Sequence, residues 1–320
     1  MMDIATPAKT VLGFVGVGKM GLPMIEHLRS AGYRVIACDA APAGLEAARM
    51  AGCEIATDVA ACAAEVDVLV SSLPNDAAFA AVARALAASG RSGRSGRSGR
   101  GGRSGRSGRS GLCYVDTSTV SPGVSAELAA SLAESGIDYL RASVSGNPVV
   151  ARAANLTVMA SGPRALYDFV KPLLDTFGKT HFYLGQGDEA RVIKLVINLM
   201  IAGTAGLLAE ALVLGQKGGL EWAQMLDIMG KSAAGSPMVN YKVEPLKAHD
   251  YAPTFSGLQM IKDLDLIMGE AARVGVPLNL TALMRQMYQA LAAQGDGELD
   301  YIATVRYMQR LAGNTEAPAQ

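Results

Sequence analysis

The stretch VLGFVGVGKMG, residues 11–21, decides the fold. An apolar run leads into Gly16, Gly18 and Gly21, which match the Gly-x-Gly-x-x-Gly pattern of a turn between a strand and a helix. Asp39 ends the next apolar run, 21 residues beyond Gly18 and close to the spacing of about twenty in dinucleotide-binding folds. The pattern predicts a strand–turn–helix–strand unit that binds a dinucleotide. The alternative is a glycine-rich turn without a ligand.

Each glycine of this turn has an expected role. Gly16 makes the tight turn, Gly18 lets the backbone approach the pyrophosphate, and Gly21 allows close packing of the helix, whose N-terminus attracts the phosphates. The expected cofactor-binding residues here are Gly16, Val17, Gly18, Lys19, Met20, Gly21 and Asp39. Asp39 can bond both ribose hydroxyls of NAD but would repel a 2′-phosphate, and no arginine follows in residues 40–43. NAD is therefore expected rather than NADP.

Apolar runs alternate with helical patterns up to about residue 186. The predicted strands are 10–17, 33–39, 66–73, 112–117, 139–142, 156–160 and 181–184, and the predicted helices are 20–30, 45–52, 76–89, 124–134 and 165–176. This alternation predicts a Rossmann-type, doubly wound parallel α/β sheet. From residue 190 the pattern is almost entirely helical. We therefore expect an NAD-binding domain at 1–186 and an all-helical domain at 187–320, joined by a long interdomain helix.

Composition limits where the protein acts. The four cysteines (38, 53, 62 and 113) show no Cys-x-x-Cys spacing, so neither a metal site nor a disulfide framework is predicted. Reduced thiols and an N-terminal segment unlike a signal peptide favour a cytoplasmic protein.

The apolar stretch 195–215 has the length of a membrane span, but Lys194, Asn198 and Glu210 would be costly in lipid. A helix packed within the protein is the expectation.

Residues 90–111 form an Arg-Ser-Gly tract with seven of the chain's 29 basic residues and no acid. The formal net charge of the chain is zero, so the remainder is acidic. A tract without apolar residues, placed between a helix and a strand, is expected to be a disordered insertion. The alternative is a contact with polyanions, although the tract lacks aromatic residues that would stack on bases.

Lys194 and Asn198 stand one helical turn apart and so share a helix face. An amine beside a substrate hydroxyl can accept its proton as hydride leaves the same carbon, and burial should lower the pKa of such a lysine. The alternative is a lysine that reaches from a buried helix to solvent.

Leu73 and Pro74 end the third long strand, at the rim where a nicotinamide ribose would lie.

Five segments, taken in order, resemble the signature segments of the β-hydroxyacid dehydrogenases, which include 3-hydroxyisobutyrate dehydrogenase and tartronate semialdehyde reductase. They are GFVGVGKMGLPM (13–24), DTSTVSPG (116–123), SVSGNP (143–148), KLVIN (194–198) and KDLDL (262–266). The resemblance implies a Rossmann domain, a long interdomain helix, and a helical domain of the 6-phosphogluconate dehydrogenase type. It also implies that the helical domain, 187–320, serves in substrate binding and dimerisation, and that the protein is a homodimer or homotetramer.

The resemblance also implies residue roles. Lys194 is the expected catalytic residue and Asn198 the residue that positions the substrate. The other expected substrate-binding residues are Ser118, Ser145, Gly146, Asn147 and Asp263, and the further cofactor-binding residues are Leu73, Pro74, Thr119 and Lys262.

Departures from the family pattern leave the substrate side chain open. Arg141, Ser143 and Asn147 replace an acid, a proline and the second glycine of the usual segment. The expected function is NAD-dependent hydride transfer to or from a small β-hydroxy acid of the 3-hydroxyisobutyrate type. An imine reductase on the same fold is one alternative, against which Lys194 argues. A non-catalytic regulatory protein that contacts polyanions through the arginine tract is the other.

Overall fold

The computed structural model describes residues 4–95 and 111–314. Residues 96–110 of the arginine tract lie outside this part, so the disorder and the polyanion contact stay predictions. The chain forms two compact units, Met1–Lys194 and Leu195–Gln320. We call them unit 1 and unit 2.

Strands and helices alternate along unit 1. The strands are β1 (Val11–Val15), β2 (Arg34–Cys38), β3 (Glu54–Ile55), β4 (Val68–Ser71), β5 (Cys113–Asp116), β6 (Asp138–Ser145), β7 (Thr157–Ser161) and β8 (Thr180–Tyr183). The helices are α1 (Gly21–Ser30), α2 (Pro42–Met50), α3 (Val59–Glu65), α4 (Asp76–Ser95), α5 (Pro122–Glu134), α6 (Pro148–Arg152), α7 (Arg164–Leu174) and the start of α8 (Glu189–Lys217). Helix α4 ends six residues beyond its predicted end.

In the described residues, eight strands form one sheet in the order β3-β2-β1-β4-β5-β6-β7-β8. Strands β1 to β6 run parallel, so the predicted doubly wound fold is confirmed. Strand β7 is antiparallel to β6, against the expectation of a uniformly parallel sheet. The reason is the short connection between them, since α6 has only five residues and a parallel pair needs a longer crossover.

The inner strands of the sheet in unit 1 are buried on both faces. Along β1, Leu12 and Phe14 pack with α1, α2 and α7, while Val11 and Val15 pack with α3, α4 and α5. This alternation follows from the period of two along a strand. The order of the strands reverses between β1 and β4, whose carboxyl ends are the expected ligand-binding edge of an open α/β sheet.

Unit 2 is helical. It contains the rest of α8, α9 (Trp222–Lys231), α10 (Pro237–Lys247), α11 (Gly257–Val274), α12 (Asn279–Leu291), a π-helical turn (Ala292–Asp296), a 3₁₀ turn (Tyr301–Ala303) and α13 (Thr304–Leu311). Its apolar core includes Leu212, Leu264, Tyr288 and Ile302. Helix α11 begins with a capping box made by Ser256 and Gln259.

Helix α8 has 29 residues and contains an 18-residue stretch with a mean hydropathy of 2.0, which satisfies the length and composition of a membrane span. A buried helix of a water-soluble core meets the same test, and Ala202, Ala205 and Leu212 lie in the core of unit 2. Another face of α8 is apolar and exposed, with Val196, Met200, Leu207 and Leu214 between 50% and 76% exposed.

Candidate active site

The glycine turn after β1 has the shape that its sequence predicts. Gly16 has φ +93°, and a Cβ there would lie 2.3 Å from the Ser72 carbonyl oxygen. A Cβ at Gly21 would lie 2.0 Å from the Gly16 carbonyl oxygen. At Gly18, by contrast, no heavy atom of the described residues lies within 4 Å of an added Cβ. The turn is therefore closed towards the protein and open at Gly18, which suits close approach of a phosphate.

Asp39, just after β2, turns its carboxylate back to this turn. Its Oδ2 accepts from the Val17 amide at 2.5 Å, and its Oδ1 accepts from the Ala41 amide at 2.7 Å. Each carboxylate oxygen has a second lone pair for a further donor. The carboxylate is thus fixed beside the turn and can still accept hydrogen bonds from ribose hydroxyls. Lys19 is exposed and Met20 half-buried at the same turn.

Three strand ends meet beside the turn. Val15 of β1 pairs with Ser71 of β4, which pairs with Asp116 of β5. The Leu73 amide donates to Ser118 Oγ at 2.8 Å, so the segments after β4 and β5 touch directly. The predicted residues Leu73, Pro74, Ser118 and Thr119 therefore lie at the same sheet edge as the glycine turn.

The Ser118 hydroxyl already donates a hydrogen bond within the protein. It donates to Asp116 Oδ1 at 2.6 Å, and Ser71 Oγ donates to the same oxygen at 2.5 Å. A hydroxyl has one proton to donate, and Ser118 is buried. Ser118 would have to rotate away from Asp116 to donate to a substrate carboxylate.

Arg191 binds the other side of Asp116, and sequence analysis missed it. Its Nη2 donates to Asp116 Oδ2 and to the Tyr139 hydroxyl, the latter at 2.7 Å, and its Nη1 donates to the Ser118 carbonyl at 2.6 Å. Burial lowers the pKa of Arg191, but Tyr139 and Asp116 raise it more, so the net shift is upward and the guanidinium stays charged. Burial also raises the pKa of Tyr139, which keeps its proton.

Two further contacts hold the first turn of α8. Arg141, on β6, forms a bidentate ion pair with Asp188, with its Nε 2.7 Å from Oδ1, and the guanidinium lies 4.6 Å from the centre of the Tyr139 ring. The Ala190 amide donates to Ser161 Oγ at 3.1 Å. The Arg141 that departs from the family pattern is therefore a buried anchor of α8.

Lys194 follows Arg191 by three residues and is half-buried. Residues three apart on a helix lie on the same side. Arg191 contacts Asp116 and the Ser118 carbonyl, so α8 is tied to the segment after β5 one helical turn before Lys194. That Lys194 acts beside Ser118 stays a prediction.

Ser145 is the last residue of β6, and Gly146 and Asn147 follow it at the same edge of the sheet. Gly146 has φ +138°, and an added Cβ would lie 2.6 Å from Leu156 Cδ2. Asn147 Oδ1 accepts from the Val149 and Val150 amides, both at 3.0 Å, and so caps α6. The oxygen of the Asn147 side chain is used locally, while Ser143 is fully buried.

The remaining predicted residues come together in unit 2. Asn198 Nδ2 donates to Asp263 Oδ2 at 2.5 Å, and both residues are buried. Lys262 Nζ lies 2.6 Å from Asp263 Oδ1. Asn198, Lys262 and Asp263 thus form one polar cluster. The sequence motifs, which lie far apart in the chain, do not reveal this contact.

The fold and the turn define a dinucleotide-binding protein, and comparison with known proteins narrows the class. Residues 11–185 match the family described as "NAD binding domain of 6-phosphogluconate dehydrogenase", and residues 186–308 match "NAD-binding of NADP-dependent 3-hydroxyisobutyrate dehydrogenase". The chain is 32% identical over 303 residues to 2-(hydroxymethyl)glutarate dehydrogenase of Eubacterium barkeri, with 94% of this chain and 96% of that protein covered.

Two 3-hydroxyisobutyrate dehydrogenases are also similar. The mitochondrial enzyme of Mus musculus is 27% identical over 94% of this chain and 88% of its own length. The Mycobacterium tuberculosis enzyme, solved with L-serine, has a TM-score of 0.80 at 26% identity, and the match covers 94% of this chain and 99% of that one. The chain belongs to the β-hydroxyacid dehydrogenase family, as its five motifs predict, and is an NAD(P)-dependent oxidoreductase.

Proposed function

We propose that the protein interconverts a small β-hydroxy acid and its carbonyl form, with Lys194 as the general acid and base. The observation that supports this proposal is the contact of Arg191 with Asp116 and the Ser118 carbonyl, because it ties α8 to the segment after β5 one helical turn before Lys194. That segment lies at the sheet edge that holds the glycine turn.

In the oxidation direction, the Lys194 amine accepts the proton of the substrate hydroxyl. In the reduction direction, the ammonium polarises the carbonyl and returns the proton to oxygen. The bound nicotinamide cofactor takes up or supplies the hydride. Since Asn198 donates its Nδ2 to Asp263, its carbonyl oxygen is the end proposed to face the substrate and position it.

The substrate class follows from the family and from the donors at the sheet edge. Ser118, after rotation, and Ser145 offer hydroxyls, and Gly146 and Asn147 offer backbone amides to a carboxylate. The relatives' names specify 3-hydroxyisobutyrate and 2-(hydroxymethyl)glutarate, both with a hydroxyl on the β-carbon. A compact acid of the 3-hydroxyisobutyrate type is the substrate we propose.

We propose NAD as the cofactor. The fixed carboxylate of Asp39 supports this choice, because it can accept from two ribose hydroxyls and would repel a phosphate. Gly16 to Gly21 would hold the pyrophosphate. Leu73, Pro74, Thr119 and Lys262 are the residues proposed to reach the nicotinamide side.

We further propose a cytoplasmic homodimer or homotetramer that does not act on membranes or nucleic acid. The exposed apolar face of α8 supports self-association, because such a face is costly to leave in water. The four cysteines are free, which suits a reducing compartment.

The decisive experiment measures NADH formation on a panel of β-hydroxy acids by wild type, Lys194→Ala and Lys217→Ala. Lys217 is an exposed lysine on the same helix and serves as the matched control. Loss of general acid–base catalysis predicts a fall in kcat of about 10²–10⁴-fold for Lys194→Ala, with NAD binding retained. Lys217→Ala should turn over like wild type. Equal turnover by Lys194→Ala would remove this lysine from the mechanism.

A further inference from the structure

Arg191 is a fully buried side chain that joins three segments of unit 1. Its guanidinium contacts the Asp116 carboxylate and the Ser118 carbonyl after β5, and the Tyr139 hydroxyl on β6. A planar guanidinium can reach several acceptors at once in fixed directions, whereas a lysine ammonium is a single mobile centre. The three contacts therefore define the orientation of Arg191, and with it the rotation of α8 about its own axis.

Three contacts that involve side chains hold the start of α8 against the sheet. Asp188, just before the helix, pairs with Arg141 of β6, the Ala190 amide donates to Ser161 of β7, and Arg191 donates to Asp116 at the end of β5. Two arginines and two aspartates balance their charges in this buried region. Three neighbouring strands thus fix one helical turn, and Lys194 stands on the next.

Asp116 links this anchor to Ser118. Its Oδ2 receives Arg191, and its Oδ1 receives the Ser118 hydroxyl at 2.6 Å. Pairing with Arg191 withdraws charge from the carboxylate and so weakens its hold on the Ser118 proton. An unpaired Asp116 would hold Ser118 more tightly and would repel an approaching substrate carboxylate.

We infer that Arg191 is a positioning residue for the reaction: it fixes Lys194 through α8 and, through Asp116, leaves Ser118 free to turn to the substrate. This inference rests on the proposed function, in which Lys194 and Ser118 act on the hydroxy acid. Arg191 is fully buried, so the role we infer for it is indirect.

The test compares Arg191→Lys with Lys242→Arg. Lys242 forms a buried ion pair with Asp300 in unit 2, at 2.7 Å. Each variant therefore exchanges one basic residue for the other in a buried ion pair with an aspartate. For each variant one measures Tm, NAD binding by calorimetry, and kcat and KM for the hydroxy acid. Acetic anhydride labelling of Lys194, followed by peptide mass spectrometry, reports the position of the amine without turnover, and Lys217 is the internal reference.

Misplacement of the amine by about 1 Å predicts a fall in kcat of about 10²-fold for Arg191→Lys. KM for the hydroxy acid should rise, NAD affinity should stay unchanged, and labelling of Lys194 relative to Lys217 should increase several-fold. Lys242→Arg should lose Tm to a similar degree while keeping kcat and Lys194 labelling.

Wild-type kcat and unchanged Lys194 labelling in Arg191→Lys would overturn the inference, and so would an equal loss of kcat in Lys242→Arg. If Arg191→Lys does not fold, Asp116→Asn takes its place, because it keeps the shape of the side chain while weakening the hold on Arg191. A wild-type protein inactive on every hydroxy acid would refute the proposed function, whereas the labelling ratio would still decide whether Arg191 positions Lys194.

Discussion

Asn198 donates its side-chain amide to Asp263 at 2.5 Å, and this contact fixes which end of the amide faces outward. An ionised carboxylate only accepts hydrogen bonds, so the nitrogen must point to Asp263 and the carbonyl oxygen must point away. Both residues are buried, so neither can exchange this partner for water without cost. Asp263 therefore determines what Asn198 can offer a ligand.

Replacing Asp263 by Asn should let the Asn198 side-chain amide flip, because the new asparagine side chain could donate to the Asn198 oxygen as well as accept from its nitrogen. We expect kcat/KM for the hydroxy acid to fall about tenfold, the equivalent of one lost buried hydrogen bond. The matched control is Asp265→Asn, at an exposed acid two residues along α11 that pairs with Arg285. Steady-state kinetics of both variants make the comparison, and equal kcat/KM values would show that Asp263 does not orient Asn198.

The parts of the site that depend on local order were predictable from sequence. The glycine turn, Asp39 and the strands on either side carry apolar runs and glycine spacing that follow directly from backbone geometry. The two-residue strand β3 and the short helices α3 and α6 were not predicted, because such short elements contain too few periods of either pattern. Strand β7 was predicted, but its antiparallel direction was not, because direction depends on the length of the connection.

Arg191 was missed for a different reason. Its partners Asp116 and Tyr139 lie 75 and 52 residues away in the chain, and no local pattern pairs them. One signal was present: a second cation three residues before Lys194, at the start of an otherwise apolar helix. Such a charge must be paired if the helix is buried, which would have directed attention to the acids at the strand ends.

Alanine at Gly16 and at Gly18 should separate folding from cofactor binding. Gly16→Ala places a Cβ 2.3 Å from the Ser72 carbonyl oxygen at a positive φ, and should cost at least about 2 kcal/mol of stability. Gly18→Ala meets open space, so its stability should stay within about 0.5 kcal/mol of wild type while NAD affinity falls. Denaturant unfolding and NAD titration measure the two effects. A stable Gly16→Ala protein would contradict the observed turn.

Asp39→Asn tests the choice of cofactor. Removing the negative charge should weaken NAD binding about tenfold and strengthen NADP binding, because a charged hydrogen bond is lost and the repulsion of the 2′-phosphate disappears. Asp67→Asn is the control, since Asp67 also accepts a backbone amide, that of Val11 at 2.9 Å, at the opposite end of β1. Titrating wild type and both variants with each of the two dinucleotides gives six affinities. A wild-type preference for NADP would contradict the proposed cofactor.

Tyr288 should limit the stability of the protein in alkali. Its hydroxyl is buried and has no hydrogen-bond partner among the described residues, and burial raises its pKa above the ordinary value of about 10. Above that pH the unfolded chain loses the tyrosine proton while the folded chain keeps it, so the free energy of unfolding falls as pH rises. Tyr288→Phe removes this titration and also the cost of burying an unpaired hydroxyl. We expect it to gain about 1 kcal/mol at neutral pH and to lose less stability above pH 10.

Tyr301→Phe provides the contrast, because the Tyr301 hydroxyl lies 2.7 Å from that of Tyr241. Burial raises the pKa of Tyr301 as well, so its removal should also flatten the alkaline loss. At neutral pH, however, it leaves the Tyr241 hydroxyl without this partner and should cost about 1 kcal/mol. Urea unfolding of both variants at neutral pH and above pH 10 separates the two effects. A destabilised Tyr288→Phe protein at neutral pH would show that the Tyr288 hydroxyl is hydrogen-bonded in solution, because only a lost bond would reverse the sign.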